Sequence, residues 1–104
     1  MFDDLIAGLV AANPKTYHFH APLKESAPYI VWAEDERMDL ITGEGHSEDG
    51  WQGTIDLFTK TEGDSLCGSI ESVLEDTCIY WDLNSIQYEA ETGLIHYEWV
   101  WNYA

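Results

Sequence analysis

The sequence predicts an α+β fold, a two-layer sandwich in which two helices pack on one face of a mostly antiparallel sheet of four to five strands. Three observations carry that prediction. Apolar residues recur at helical spacing at the amino terminus and again near residues 66–78, and several intervening segments alternate with a period of two. The segments follow one another as helix, strand, hairpin, helix, hairpin, so consecutive strands pair locally and the second helix crosses between hairpins.

The first helix rests on Phe2, Leu5, Ile6, Leu9 and Val10, spaced i, i+3, i+4, i+7 and i+8, with Asp3 and Asp4 where the helix dipole favours acids. Asn13-Pro14 ends it. "TYHFH" is a short extended segment, and "APLKESAP" a proline-bounded loop. The next strand starts at Tyr29 and runs through "YIVWAEDERMDL", apolar early and charged late, so its far end projects from the core. "ITGEGHSEDGWQG" reads as a glycine-rich acidic connection with a mobile tip, and "GTIDLFTK" as the returning strand, with Ile55 and Leu57 opposite Asp56 and Phe58.

Gly63-Asp64-Ser65 opens the second helix, whose stripe is Cys67, Ile70, Leu74 and Cys78, flanked by Leu66 and Val73. Gly68 inside it costs about 1 kcal/mol relative to alanine, which close packing would justify. "IYWDLNSIQYEAE", a turn at Thr92-Gly93 and "LIHYEWVWNY" complete the second hairpin. In the last strand Ile95, Tyr97, Trp99, Trp101 and Tyr103 share one side, and Leu94, His96, Glu98, Val100 and Asn102 the other. One face is wholly buried and the second half apolar, which places this strand inside the sheet.

At 104 residues the chain is one domain, residues 1–104, marginal in surface-to-volume terms and therefore suited to oligomerisation. Hydrophobic residues at 45% and aromatic residues at 13% exclude intrinsic disorder. Twenty acids against four basic residues give a formal charge of −16. Lys15, Lys24, Arg37 and Lys60 cannot build the cationic stripe that nucleic acid or an anionic membrane requires. The charge suits a highly soluble protein, a surface past which DNA slides, or a mimic of DNA. "MFDDLIAGLVAANPK" has acids where a secretory signal carries basic residues, and its apolar run is too short to cross a bilayer. Cys67 and Cys78, on one continuous helix, would stand roughly 16 Å apart, too far for a disulfide. Reduced thiols in a cytoplasmic setting are expected.

No catalytic, cofactor-binding or metal-ligating set is read from the sequence, and an enzyme is not expected. His18 and His20 share a face of an extended segment, a spacing used by zinc sites, but no matching Cys or His pair accompanies them. The loop "GEGHSEDG" lacks the ligand order of a calcium loop. Glu34, Asp35 and Glu36 are consecutive and cannot converge on a strand. The two cysteines lie on an apolar stripe, where buried thiols are inert. Five tryptophans exceed what so small a core needs, which directs one or two to a protein interface, with Trp51 at the foot of the acidic loop as the candidate.

The series "PYIVWAEDER", "GTIDLFTKTEGDSL", an amphipathic helix and "LNSIQYEAETGLIHYEWVW" resembles the small tail-completion proteins of long-tailed bacteriophages and prophages of Gram-positive bacteria. These are similar to tail terminators, which form a hexameric ring that caps the tail tube and joins it to the head. The resemblance implies a structural virion-assembly protein. It would be a homo-oligomer partnered by tail-tube and head-connector proteins, without membrane or sequence-specific nucleic-acid contact, found in the host cytoplasm during assembly and then at the head-tail junction. Six copies would carry six times the −16 charge, giving DNA an acidic lumen to pass. The subunit interface is placed at Arg37, Met38, Leu40, Ile41 and Trp51, along the charged half of the long hairpin and the loop from Ile41 to Trp51. Arg37 meets an acidic neighbour across the ring or, locally, Glu34 or Asp35. The rival reading is an acidic DNA mimic that inhibits a host DNA-binding enzyme. A weaker third is a small enzyme with a metal at His18 and His20.

Overall fold

The computed structural model describes residues 1–41 and 47–104, with side chains outside 36–49. The chain order is α1 (Asp3–Ala12), β1 (Thr16–His18), β2 (Tyr29–Ile41), β3 (Ser47–Thr59), α2 (Leu66–Thr77), β4 (Tyr80–Glu89) and β5 (Leu94–Tyr103). The strands form one five-stranded sheet in the order β1-β2-β3-β5-β4, with β1 and β2 parallel and every other neighbouring pair antiparallel. This is the α+β arrangement expected from the sequence, with the last strand inside the sheet.

The core is the helix-facing side of the sheet. Ile30 and Trp32 of β2, Ile55 and Leu57 of β3, and Tyr97, Trp99 and Trp101 of β5 meet Leu5 and Leu9 of α1 and Ile70 and Leu74 of α2. At about 25 cal/mol per Å² of apolar surface, each such aliphatic side chain contributes roughly 1.5–3 kcal/mol of burial free energy. Phe2 lies just outside α1 in a left-handed conformation (φ 62°). Its ring stands edge-on to Trp32, Trp51, Trp101 and Tyr103, at centroid distances of 5.9, 5.8, 5.6 and 5.1 Å.

The stripe of α1 is narrower than the spacing predicts. Leu5 and Leu9 are sealed, Ile6 is partly covered and Val10 is exposed, because one sheet and one neighbouring helix cover only one side of the cylinder. Asn13 terminates α1 as expected and then joins it to the sheet: Nδ2 donates to Pro28 O at 3.0 Å and Oδ1 accepts from Lys15 N at 2.9 Å. At the other helix, Asp64 Oδ1 accepts from Leu66 N at 2.9 Å and Oδ2 from the buried Thr59 hydroxyl at 2.6 Å, tying the end of β3 to the start of α2.

Several expectations require correction. Gly68 has nothing within 4 Å of a Cβ added to it, so it makes no close approach; Gly8 and Gly53 do. A Cβ on Gly8 would lie 2.6 Å from Val73 Cγ1, which brings α1 close to α2, and one on Gly53 would lie 2.2 Å from Ala33 O and 2.3 Å from Trp101 Cζ2. Helix α2 stops at Thr77, and Cys78 follows in an extended conformation. Both thiols are nonetheless free, and burial pushes each above its ordinary pKa, as befits inert groups. Strand β3 begins at Ser47, so residues 47–50 are part of the ladder rather than of a loop; the expected mobile tip falls on residues 42–46, outside the described ones. All five tryptophans pack in or against the core, Trp51 and Trp81 remaining partly exposed.

Candidate functional site

The sheet face away from the helices carries the groups with chemistry. Parity puts Tyr29 and Val31 of β2, Asp56 and Phe58 of β3, and Leu94, His96 and Glu98 of β5 on this side, the alternation that also buries their neighbours in the core. The segment following β1 folds over them. Phe19, with φ 69°, breaks the strand after His18, and Lys24, with φ 63°, turns the chain back. Tyr17 Oη donates to Glu25 Oε2, and Lys15 Nζ donates to Ser26 O at 2.6 Å, fastening the loop to β1. Between loop and sheet lies an open groove of about 660 Å³, lined among others by Phe19, His20, Leu23, Phe58, Leu94 and His96.

At its floor the register brings together residues far apart in sequence. Asp56 lies directly across from Glu98, and Phe58 from His96. Asp56 Oδ1 is 2.6 Å from His96 Nε2, the imidazole stacks on Phe58 at 4.3 Å, and Asn84 Nδ2 donates to Glu98 Oε1 at 2.7 Å. All three polar groups are half-buried. The hydrogen bond to the Asp56 carboxylate raises the pKa of His96 above its usual value, against a smaller opposing effect of burial. On the loop, the Tyr17 hydroxyl holds the Glu25 carboxyl below the ordinary range, and the Tyr17 phenol is raised in return.

The two histidines singled out from the sequence do not converge. His18 ends β1, stacks between Phe19 and Trp32 at 4.0 Å from each, and sits 2.6 Å from Glu34 Oε1, whereas His20 lies beyond the break and lines the groove. Asp56, His96 and Glu98 were not anticipated as a group. Their only sequence signal is that each is a polar residue on the polar side of its strand.

The predicted interface residues fall on one feature. Trp51 opposite Tyr103 is the last pair between β3 and β5, so the earlier part of β3 pairs with β2 alone. Arg37 lies opposite Trp51 at the root of this two-stranded arm, and Met38, Leu40 and Ile41 lie opposite Gly50, Glu48 and Ser47 along it. Side chains 36–49, hence any Arg37 ion pair, lie outside the described ones. Trp51 itself is half-buried, edge-on to Phe2, and roots the arm in the core. The opposite sheet edge, β4, exposes Tyr80, Ile86 and Tyr88.

No protein-family model matches the chain, and no curated protein matches it. Its fold is similar to that of a chain in a solved structure described as the virion of a native gene transfer agent particle. The TM-score is 0.59 with 10% sequence identity, over 95% of this chain and 89% of that one. At that identity the likeness establishes a shared fold spanning nearly the whole of both chains. Among the described residues, no helix is long and apolar enough to cross a membrane.

Proposed function

We propose that the chain is a structural subunit of a phage-like virion, of the tail-terminator or head-tail joining kind, which works as a member of a hexameric ring. The carrying observation is the fold shared over 95% of the chain with a component of a virion particle. Three features of the molecule support the reading. A two-stranded arm extends past the third strand of the sheet, and an isolated two-stranded hairpin is marginal in water until it packs on something. The β4 edge offers unpaired backbone and exposed apolar side chains to a neighbour. The −16 charge makes a surface that repels the DNA a head-tail channel must pass.

In this reading the subunit meets its neighbours through the arm, with Arg37, Met38, Leu40, Ile41 and Trp51 at or near the contact, and meets tail-tube and head-connector proteins through the ring faces. It assembles in the host cytoplasm and remains at the head-tail junction. It performs no catalysis. The test is the mass of the purified protein by light scattering across a concentration series, with and without moderate salt to screen the charge. A hexamer, or salt-promoted growth toward one that Arg37→Glu abolishes, supports the ring. A strict monomer under every condition, combined with inhibition of a nuclease, overturns it in favour of the DNA mimic.

A further inference from the structure

We propose that Asp56, His96 and Glu98 form a binding site for one divalent first-row transition metal ion, zinc being the reference ion, with its remaining coordination positions open to the groove. One donor atom from each residue lies within 4.8 Å of the other two. Zinc bonds of about 2.0–2.2 Å to nitrogen and oxygen put neighbouring donors roughly 3.3 Å apart. The three groups therefore reach that geometry through side-chain adjustment, the 2.6 Å contact between Asp56 and His96 opening slightly as the ion replaces the shared proton.

Charge supplies an independent reason for a cation here. Asp56 and Glu98 are directly opposite each other on adjacent antiparallel strands, an arrangement in which like charges repel and destabilise the pair. A dication between them removes that repulsion, and it does so where, among the described residues, no lysine or arginine lines the floor; Lys24 belongs to the loop wall. The donor set selects the ion. Two carboxylates alone would suit magnesium or calcium, whereas an imidazole beside them shifts preference to zinc and its first-row neighbours.

The surroundings resemble those that orient metal ligands elsewhere. Phe58 stacks on the imidazole and fixes its plane, and Asn84, from the bulge in β4, holds Glu98 by one oxygen. Such supporting contacts aim a ligand before the ion arrives. The ligands themselves stand on β3 and β5, neighbouring strands inside the sheet, so the platform is rigid. Three protein ligands leave a zinc ion at least one position for water, which faces the groove beside His20 and Glu25. The site is independent of the ring reading and does not require catalysis.

The experiment uses the full chain, purified without a histidine tag and freed of metal with a chelator, titrated with zinc by calorimetry and with cobalt by visible absorption. One equivalent is expected to bind, with ligand-field bands in the cobalt form. His96→Gln and Glu98→Gln should each weaken binding at least tenfold, and Asn84→Ala by about tenfold, the usual effect of losing a supporting contact. His18→Gln and Cys67→Ser should leave it unchanged. Wild-type protein that takes up no zinc at micromolar concentration overturns the proposal, as does uptake that survives both His96→Gln and Glu98→Gln. Should His96→Gln fail to fold, judged by circular dichroism, Glu98→Gln alone decides, because it removes a charge without removing bulk.

Discussion

Three glycines in three environments allow the packing to be tested with one added methyl group. At Gly68 that methyl meets nothing within 4 Å, so Gly68→Ala should express only the backbone preference of a helix interior. The gain is about 1 kcal/mol, a rise of roughly 4–8 °C in Tm for a domain of this size. At Gly53 the same methyl would lie 2.2 Å from a backbone carbonyl and 2.3 Å from the buried Trp101 ring. Neither gives way cheaply: the carbonyl belongs to the β2 ladder and the indole is fully enclosed. Gly53→Ala should therefore cost about 3 kcal/mol, the upper end for overpacking. Gly8 lies between, since the nearest atom, Val73 Cγ1 at 2.6 Å, belongs to a half-buried side chain that can turn. Gly8→Ala should cost about 1 kcal/mol and lose most of that cost when combined with Val73→Ala, a coupling that a double-mutant cycle measures. Urea unfolding followed by tryptophan fluorescence reads all five variants, the Val73→Ala single included. A destabilising Gly68→Ala, or a Gly53→Ala within 0.5 kcal/mol of wild type, the range of an ordinary surface change, would refute the packing described here.

Two further predictions concern the acids that accept hydrogen bonds from aromatic groups. Trp99 is fully buried and its Nε1 donates to Glu71 Oε2 at 2.9 Å, so Glu71→Ala strands an indole N–H and should cost about 1–3 kcal/mol by urea unfolding. Glu75→Ala removes the exposed acceptor of Trp81 Nε1, where water substitutes, and should cost under about 0.5 kcal/mol; equal effects would contradict this assignment. Tyr103 donates to Asp4 Oδ1 at 2.6 Å, and that bond pushes its phenol up to about 12 while lowering Asp4. A raised folded-state pKa means the bond's stabilisation is complete below about 10, the unfolded phenol's value, and is lost as pH rises through about 12. The absorbance titration of wild type minus that of Tyr103→Phe should accordingly have its midpoint near 12; a midpoint near 10 would show that the bond does not form.

How far the fold was legible depends on where burial wrote a pattern. Strand β5 was legible throughout because its alternate residues are sealed by helices on one side, and the first half of β2 for the same reason. The early part of β3 was not, since residues 47–50 pair only with β2, beyond the end of β5. Spacing assigns Phe2 to the helical stripe, whereas it leaves the helix to enter the aromatic cluster. The Asp56, His96 and Glu98 group was illegible for a different reason. Alternation assigns each residue a face, but only the register says that residue 56 sits opposite residue 98, and no local signal encodes a pairing between strands so far apart in sequence.

The acidic composition and the aromatic richness, which looked like separate facts in the sequence, are joined in the structure. A buried or half-buried indole or phenol brings a donor that calls for an acceptor; among the described residues Trp101 Nε1 is buried without one, whereas other aromatic donors find carboxylates. Glu71 and Glu75 stand one turn apart on α2 and take the donors of Trp99 and Trp81, while Asp4 on α1 takes that of Tyr103. Helices that otherwise show apolar side chains to the sheet thus grip the outer ends of its aromatic rows with carboxylates. A carboxylate spent in this way sits at the seam between helix and sheet, positioned by a ring. The acids that remain free for an outside partner are fewer than the −16 suggests, and this weakens a DNA mimic, which needs its charges in open phosphate-like array, more than it weakens a ring subunit, which needs only a repelling surface.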